Sequence, residues 1–347
     1  MMDQILENRR IAAVAGRFLR PPHRVNGLHE SDAELITLDP GFDRILAITT
    51  DALSEEISSG LYAEPYRAGW MLAMANFSDL AAVGADPLGL VVTITCPPSP
   101  GEGFLEGLAD GISAACRTIG TYVLGGDTNQ GERTFLSGCA VGLVPKAAIL
   151  TRKGILPGDK VYLSGAAGLG GVFALLRLME PAVPIPPSFY VPVARIREGM
   201  SLRGRASACM DTSDGVLHTL DTLMRLNGVR FILDSNWSRI LHPEALKVCQ
   251  ARGIPPWLSL ASVHGEFELC FTVAPDREEA LLAAAREAGW SPIRIGEVVF
   301  GTGVGIRTGD KVVDLDTTRI RNIADSAASD PLRYVAELIA LAREAGI

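Results

Sequence analysis

Six aspartates stand where elements begin or end, not in charged surface runs, and carboxylates so placed can gather a divalent cation. Asp32 lies in His29-Glu30-Ser31-Asp32-Ala33, and Asp51 follows Thr49-Thr50 at the end of an apolar run. Asp79 interrupts the otherwise apolar Asn76-Phe77-Ser78-Asp79-Leu80-Ala81-Ala82, and Asp127 follows Gly125-Gly126. Asp211 and Asp214 bracket Thr212-Ser213 ahead of Gly215. A carboxylate in apolar company is costly unless it is paired, hydrogen-bonded or bound to metal. Together these positions suggest a shared cation site, because hard cations take oxygen ligands and bridge phosphate oxygens. Taken singly, each has an ordinary alternative as an N-cap or an Asx turn. Asp211 or Asp214 would cap the helix expected from Gly215, and Asp127 would hold a turn. Spacing alone does not choose between the two.

The elements that must carry these residues alternate between strand and helix. Arg44–Ala52 reads as a strand that delivers Asp51 at its end. Ala63–Ala85 reads as a helix closed by Gly84 and Pro87, and the Val/Ile/Thr-rich Leu88–Cys96 as a strand. Gly103–Ile119 carries a 3.6-period apolar stripe, and strands at Thr121–Leu124 and Thr134–Val144 complete this half. After the Gly/Pro segment Arg152–Asp159, strands are expected at Val161–Ser164, Ala208–Met210, Arg230–Leu233, Leu269–Val273 and Val298–Ile306. Helices are expected at Gly171–Glu180, Val193–Gly199, Gly215–Leu226, Pro243–Ala251, Arg277–Ala288 and Pro331–Ala345, with a proline-rich loop from Pro181 to Pro192.

At 347 residues the chain exceeds the usual size of one core, so two domains are expected, 1–150 and 151–347. The formal net charge of −8 argues against a nucleic-acid partner, since phosphate backbones attract Lys and Arg. An acidic enzyme can still bind ATP when metal ions stand between its carboxylates and the phosphates. The six cysteines lie far apart without a CxxC pair and read as reduced, mostly buried thiols. There is no apolar stretch long enough to span a membrane and no signal-like start, so a cytoplasmic protein is expected. A P-loop, GxxxxGK[ST], is absent.

The wording of these segments resembles thiamine-monophosphate kinase, in the superfamily that includes aminoimidazole ribonucleotide synthetase. The matching stretches are Thr49-Thr50-Asp51, Asn76 to Pro87, Leu124-Gly125-Gly126-Asp127-Thr128, Leu150-Thr151-Arg152 with Pro157-Gly158-Asp159, Asp211-Thr212-Ser213-Asp214-Gly215 and Glu268 to Val273. They keep family order over roughly residues 25 to 305. The resemblance implies an α/β (α+β) protein of two domains. An N-terminal ATP- and metal-binding domain would share a barrel from its mixed sheet in a homodimer, and a C-terminal α/β domain would be sandwich-like with a terminal helix. It further implies ATP held through several Mg²⁺ ions and a small-molecule acceptor. Asp32, Thr50, Asp51, Asp79, Asp127, Asp211 and Asp214 would be metal ligands, and Gly126, Arg152 and Ser213 would contact the nucleotide. Gly125 and Gly126 would let backbone N–H groups approach an anion. Asp51, Asp79, Asp127, Arg152 and Asp214 would carry phosphoryl transfer, Arg152 offsetting the charge that develops.

Three departures bear on the acceptor. Ser31 takes the first place of the family's double Asp. The segment after Asp51 reads Ser54-Glu55-Glu56-Ile57-Ser58-Ser59, so the family's substrate-side His is lost, leaving Ser58 as a candidate contact. Val263-His264-Gly265-Glu266-Phe267-Glu268-Leu269 puts Gly265 where the substrate-contacting Glu belongs and Glu266 where the Asp was. His264 and Glu266 are candidate acceptor contacts, with a structural role the equal alternative for His264, while His218 and His242 read as structural. The family's aromatic ending is replaced by an Ala/Leu-rich helix. The expectation is a kinase with a different acceptor. The alternatives are an ATP-dependent synthetase or dehydratase, in which nitrogen or sulfur displaces an activated oxygen, and a non-catalytic nucleotide-binding protein. Selenophosphate synthesis is disfavoured by the lack of an N-terminal Cys-containing glycine loop, and the hydrogenase-maturation role by the Gly346-Ile347 ending, which lacks a Cys.

Overall fold

The computed structural model describes residues 2–39, 41–180, 182–326 and 330–345, so Pro181 of the expected loop and the Gly346-Ile347 ending lie outside the described residues. The first half runs α1 (Leu6–Ala15), β1 (Glu34–Thr37), β2 (Arg44–Ala52), α2 (Ser54–Ser58), α3 (Pro65–Ala82), β3 (Asp86–Cys96), α4 (Phe104–Ile119), β4 (Val123–Gln130) and β5 (Phe135–Pro145). Its strands form one mixed sheet ordered β1-β2-β5-β3-β4, antiparallel except for the β3–β4 pair. The period-2 alternation of β2 puts Ile45 and Ala47 in the core facing α3, with Leu46 and Ile48 on the opposite face. Proline at the first turn starts α3, a position where the missing N–H costs nothing. This helix is buried nearly all round because it meets β2 and β5 on one side and the second half on the other. It therefore carries Asp79 into the junction between the halves.

The second half runs β6 (Lys160–Leu163), α5 (Leu169–Met179), α6 (Ile196–Leu202), β7 (Ala208–Asp211), α7 (Val216–Asn227), β8 (Arg230–Leu233), α8 (Trp237–Ile240), α9 (Pro243–Arg252), β9 (Leu269–Val273), α10 (Glu278–Glu287), β10 (Ile293–Val299), β11 (Gly303–Thr308), β12 (Lys311–Leu315), α11 (Thr317–Ser326) and α12 (Pro331–Ala345). Its seven strands are ordered β12-β11-β8-β10-β6-β9-β7, with only β8–β11 parallel. One buried cluster runs from Leu35, Ile45 and Phe77 of the first half to Leu202, Leu269 and Phe271 of the second. A second lies between this sheet and α7, α11 and α12. The N-terminal helix packs across the molecule, with Glu7 paired to Arg321 of α11 at 2.9 Å.

Three expectations change. The single strand over 298–306 is two strands, because the chain reverses at Phe300-Gly301-Thr302. Gly301 and Gly303 there adopt φ of 106° and 130°, a region that side-chain-bearing residues avoid. The strand expected at 121–124 starts at Val123 and continues to Gln130, since it pairs with β3 throughout, so Asp127 lies within a strand and not in a turn. Sequence reading also missed β1 and β12, which are short, and α11, whose composition is polar. All six cysteines are free, and no helix among the described residues is long and apolar enough to cross a membrane.

Candidate active site

Three of the six aspartates meet. Asp32 on the loop before β1, Asp79 on α3 and Asp211 at the end of β7 each bring one carboxylate oxygen within 4.8 Å of the other two. Hydroxyls and a guanidinium orient them. Thr49 Oγ1 of β2 donates to Asp79 Oδ2 at 2.5 Å, and Ser78 Oγ donates to Asp211 Oδ2 at 2.7 Å. Ser213 Oγ donates to Asp211 Oδ1 at 3.0 Å. Arg152 grips Asp32 with two bonds, Nε to Oδ2 at 3.1 Å and Nη2 to Oδ1 at 2.8 Å. Burial works against the charge of Arg152, but Asp32 outweighs it and holds the guanidinium protonated.

The electrostatics are those of a site short of positive charge. Burial first, and then Asp51, Asp211 and Asp32, push the Asp79 carboxyl well above the usual range. Burial followed by Asp32 lifts Asp211 to about 7, against the opposing bond from Ser78. Asp51 is raised by burial and by Asp32, while its backbone N–H is tied to Asn76 Oδ1 at 3.1 Å. Asp214 stands at the rim, where solvent reaches it although the protein crowds it on all sides. It is pushed up to about 6 by desolvation and then by Glu7. Several mutually repelling carboxylates share one fully engaged arginine, an arrangement that a bound cation relieves. None of the N-cap alternatives is realised for Asp211 or Asp214, because α7 starts after Gly215 without a side-chain cap.

The remaining candidates fall elsewhere. Thr50 points to the other face of β2 from Thr49 and donates to the Gly138 carbonyl at 2.7 Å. Gly125, Gly126 and Asp127 lie on β4, the exposed edge strand. The register runs from Asp51 through Gly138 and Val92 to Gly126, so Asp127 is three strand spacings from β2, about 14 Å. It stands apart from the triad and accepts from Asn129 Nδ2 at 2.8 Å. Gly126 has a packing reason too, since a Cβ there would sit 2.4 Å from the Val92 carbonyl oxygen.

The loop before β9, which carries the candidate acceptor contacts His264 and Glu266, is closely packed. Gly265 presses on the loop that carries Ser213, and a Cβ at 265 would lie 1.6 Å from the Thr212 carbonyl oxygen. His264 is bonded through Nε2 to the Tyr62 hydroxyl at 2.8 Å among Phe173 and Tyr190, and burial lowers it to about 4, leaving it neutral. Glu266 accepts from the Gly170 N–H at 2.7 Å, and desolvation raises it to about 8. Ser58 donates back to Glu55 of its own helix at 3.0 Å, while Ser59 lines the neighbouring cavity. That cavity, of about 510 Å³, lies between α5, α12 and the first turns of α7, with Asp214 and Glu56 on its wall. Thr49 is a residue that sequence reasoning missed, and His218, read there as structural, lines the neighbouring cavity. Thr49 was findable from strand alternation, which places it on the Asp51 face. His218, a lone histidine in a helix, carried no signal until α11 and α12 were in place.

Known proteins resemble this chain over most of its length. Residues 30–144 match the family model of the AIR synthase related protein N-terminal domain, and residues 157–309 that of the C-terminal domain. The thiamine-monophosphate kinase of Pyrococcus horikoshii is 30% identical over 293 residues, covering 82% of this chain and 90% of that protein. The crystal structure of tt0281 from Thermus thermophilus superposes with a TM-score of 0.72 at 29% identity, over 86% of this chain and 96% of that one. AaThiL, solved in complex with AMPPCP and TMP, shares the fold at a TM-score of 0.70 and 22% identity, over 90% and 98% of the two chains.

Proposed function

The chain belongs to the AIR synthase related protein family, and from that premise we propose that it transfers a phosphoryl group from ATP, with magnesium, to a small-molecule acceptor other than thiamine monophosphate. The observation that carries the reading is the convergence of Asp32, Asp79 and Asp211 beside Arg152. Three carboxylate oxygens within 4.8 Å suit a hard cation, and Asp32, Asp79 and Asp211 would hold it with Asp51 and Asp214 close by. An ion held there would supply charge neutralisation for a triphosphate. The chain's own groups do the rest. Asp32 fixes the plane of the Arg152 guanidinium, which stabilises charge that develops on the transferred group. Ser213 and Ser78 keep Asp211 turned inward. Gly125, Gly126 and Asp127 retain a nucleotide role at a place apart from the triad.

The changed acceptor rests on three details. The family's substrate-contacting Glu has no room at 265, His264 is spoken for by Tyr62, and Ser58 bonds its own helix. A homodimer is part of the same reading. The face of the first sheet turned away from α3 leaves Val91, Leu124 and Phe135 exposed, an apolar surface of the kind a second copy covers.

Calorimetric titration with AMPPCP, Mg²⁺ and thiamine monophosphate tests the proposal. Mg²⁺-dependent nucleotide binding with no saturable thiamine-monophosphate binding is expected, and tight binding of the latter contradicts the changed acceptor. Asp79→Asn and Asp214→Asn should each abolish ATP turnover with an unchanged circular-dichroism spectrum. Full turnover in either variant contradicts the assigned site.

A further inference from the structure

The cavity beside Asp214 has two unlike ends. At one end, Glu7, Glu56, Asp214, His218 and Arg321 face the rim where the acidic site lies. At the other, Leu175, Leu178 and Met179 of α5 oppose Val335, Leu338 and Ile339 of α12 across an apolar slot. At about 510 Å³ it falls in the range of small-ligand sites. Its polar end holds two buried nitrogens without a hydrogen-bond partner, His218 Nδ1 on α7 and Arg321 Nε on α11. Both side chains are more than nine-tenths buried, at 6% and 8% exposure. Buried polar atoms are ordinarily satisfied; these two lie just under the cavity wall and not on its open face, so a ligand oxygen would meet them through a turn of the His218 and Arg321 side chains. Neutral His218, lowered to about 3 by burial and then by Arg321, and the Arg321 Nε–H both suit a ligand oxygen.

The charge at this end selects against a phosphorylated acceptor. Glu7, Glu55, Glu56 and Asp214 face Arg10 and Arg321. Arg321 is already engaged by Glu7 at 2.9 Å and Asp221 at 3.3 Å. A phosphate monoester placed there without a metal ion between would meet four carboxylates against two arginines, with Arg321 already engaged.

We propose that the phosphoryl acceptor is an amphipathic alcohol, its oxygen-bearing head held at Asp214, His218 and Arg321 and its uncharged apolar tail lying between α5 and α12. The inference rests on the kinase reading and names the substrate class for it. In the transfer, the hydroxyl oxygen forms a bond to the γ-phosphorus of ATP while the bond from that phosphorus to the β,γ-bridging oxygen breaks. The bonding pair leaves on ADP, and the hydroxyl proton passes to the Glu56 carboxylate.

The test uses the full chain with ATP, Mg²⁺ and a series of 1,2-alkanediols of four, six and eight carbons. ADP release gives rates, and phosphorus NMR identifies a phosphomonoester product. A tail entering the slot raises kcat/KM about fourfold per added methylene, the ratio that corresponds to roughly 0.8 kcal/mol of transfer free energy. Leu175→Trp and Val335→Trp, both at half-buried positions, fill the slot from opposite sides and should remove the chain-length dependence. AMPPCP affinity should stay the same in both. Two variants keep the test decisive if one misfolds. Diols left unphosphorylated by a chain that binds AMPPCP with Mg²⁺, or rates independent of tail length, overturn the amphipathic acceptor while leaving the kinase reading in place. Failure to bind AMPPCP with Mg²⁺ overturns both.

Discussion

Replacing Glu266 by Gln isolates the cost of holding one carboxyl in the packed loop before β9. The side chain is 8% exposed, and desolvation is the largest influence on it, only partly offset by the N–H of Gly170. Its pKa rises from the ordinary 4.5 to about 8, so the folded chain keeps a proton that the unfolded chain has released over that interval. The stabilisation from this group is therefore complete below about pH 4.5, erodes as pH rises and is gone above about pH 8. The slope is about 1.4 kcal/mol per pH unit, roughly 5 kcal/mol across the whole interval as an upper figure. Glutamine keeps the shape and a carbonyl oxygen for Gly170 but cannot ionise. Urea unfolding of both proteins at pH 5, 6, 7 and 8 reads the effect, because subtracting one profile from the other cancels the remaining titrating groups. Glu266→Gln should gain on the parent steadily from pH 5 to 8. A difference that stays constant over that range would refute the reasoning.

Gly265→Ala forces a methyl against the Thr212 carbonyl and should cost about 3 kcal/mol, read as a lowered urea midpoint with an unchanged slope. Arg152→Lys keeps a positive charge but loses the paired bonds to Asp32, and kcat/KM for ATP turnover should fall roughly 10- to 100-fold in a steady-state ADP assay.

The acidic centre was legible because its residues sit in distinctive local wording. Asp79 in an apolar helix and Asp211 beside Ser213 are costly placements without a partner, and the fold supplies the partner by running α3 between the two sheets. Sequence spacing carried less about register. It showed a strand near Gly125 but not that β4 forms the sheet edge, which is why Asp127 stood among the convergent residues until pairing placed its strand three spacings, about 14 Å, from β2. Gly265 was visible as a departure from the family pattern, yet its cause, the Thr212 carbonyl, lies on a loop some fifty residues earlier. The cavity was the least legible feature. Its walls come from α1, α5, α7, α11 and α12, and no local pattern announces that Leu178 and Leu338 share one slot. His218 illustrates the same limit, since its unmet nitrogen is a property of packing and not of its neighbours in sequence.

Magnesium binding measured as a thermal-denaturation shift, in the parent chain and in Asp79→Asn and Asp211→Asn, bears most directly on the claim that these carboxylates hold a cation. The parent should melt at a temperature that climbs with Mg²⁺ and then saturates, because an ion that binds only the folded chain stabilises it by mass action. In its absence each Asn variant should melt higher than the parent, having lost one of three facing carboxylates, and should respond little when it is added. A parent indifferent to Mg²⁺, or variants that respond as fully as the parent, would contradict the account.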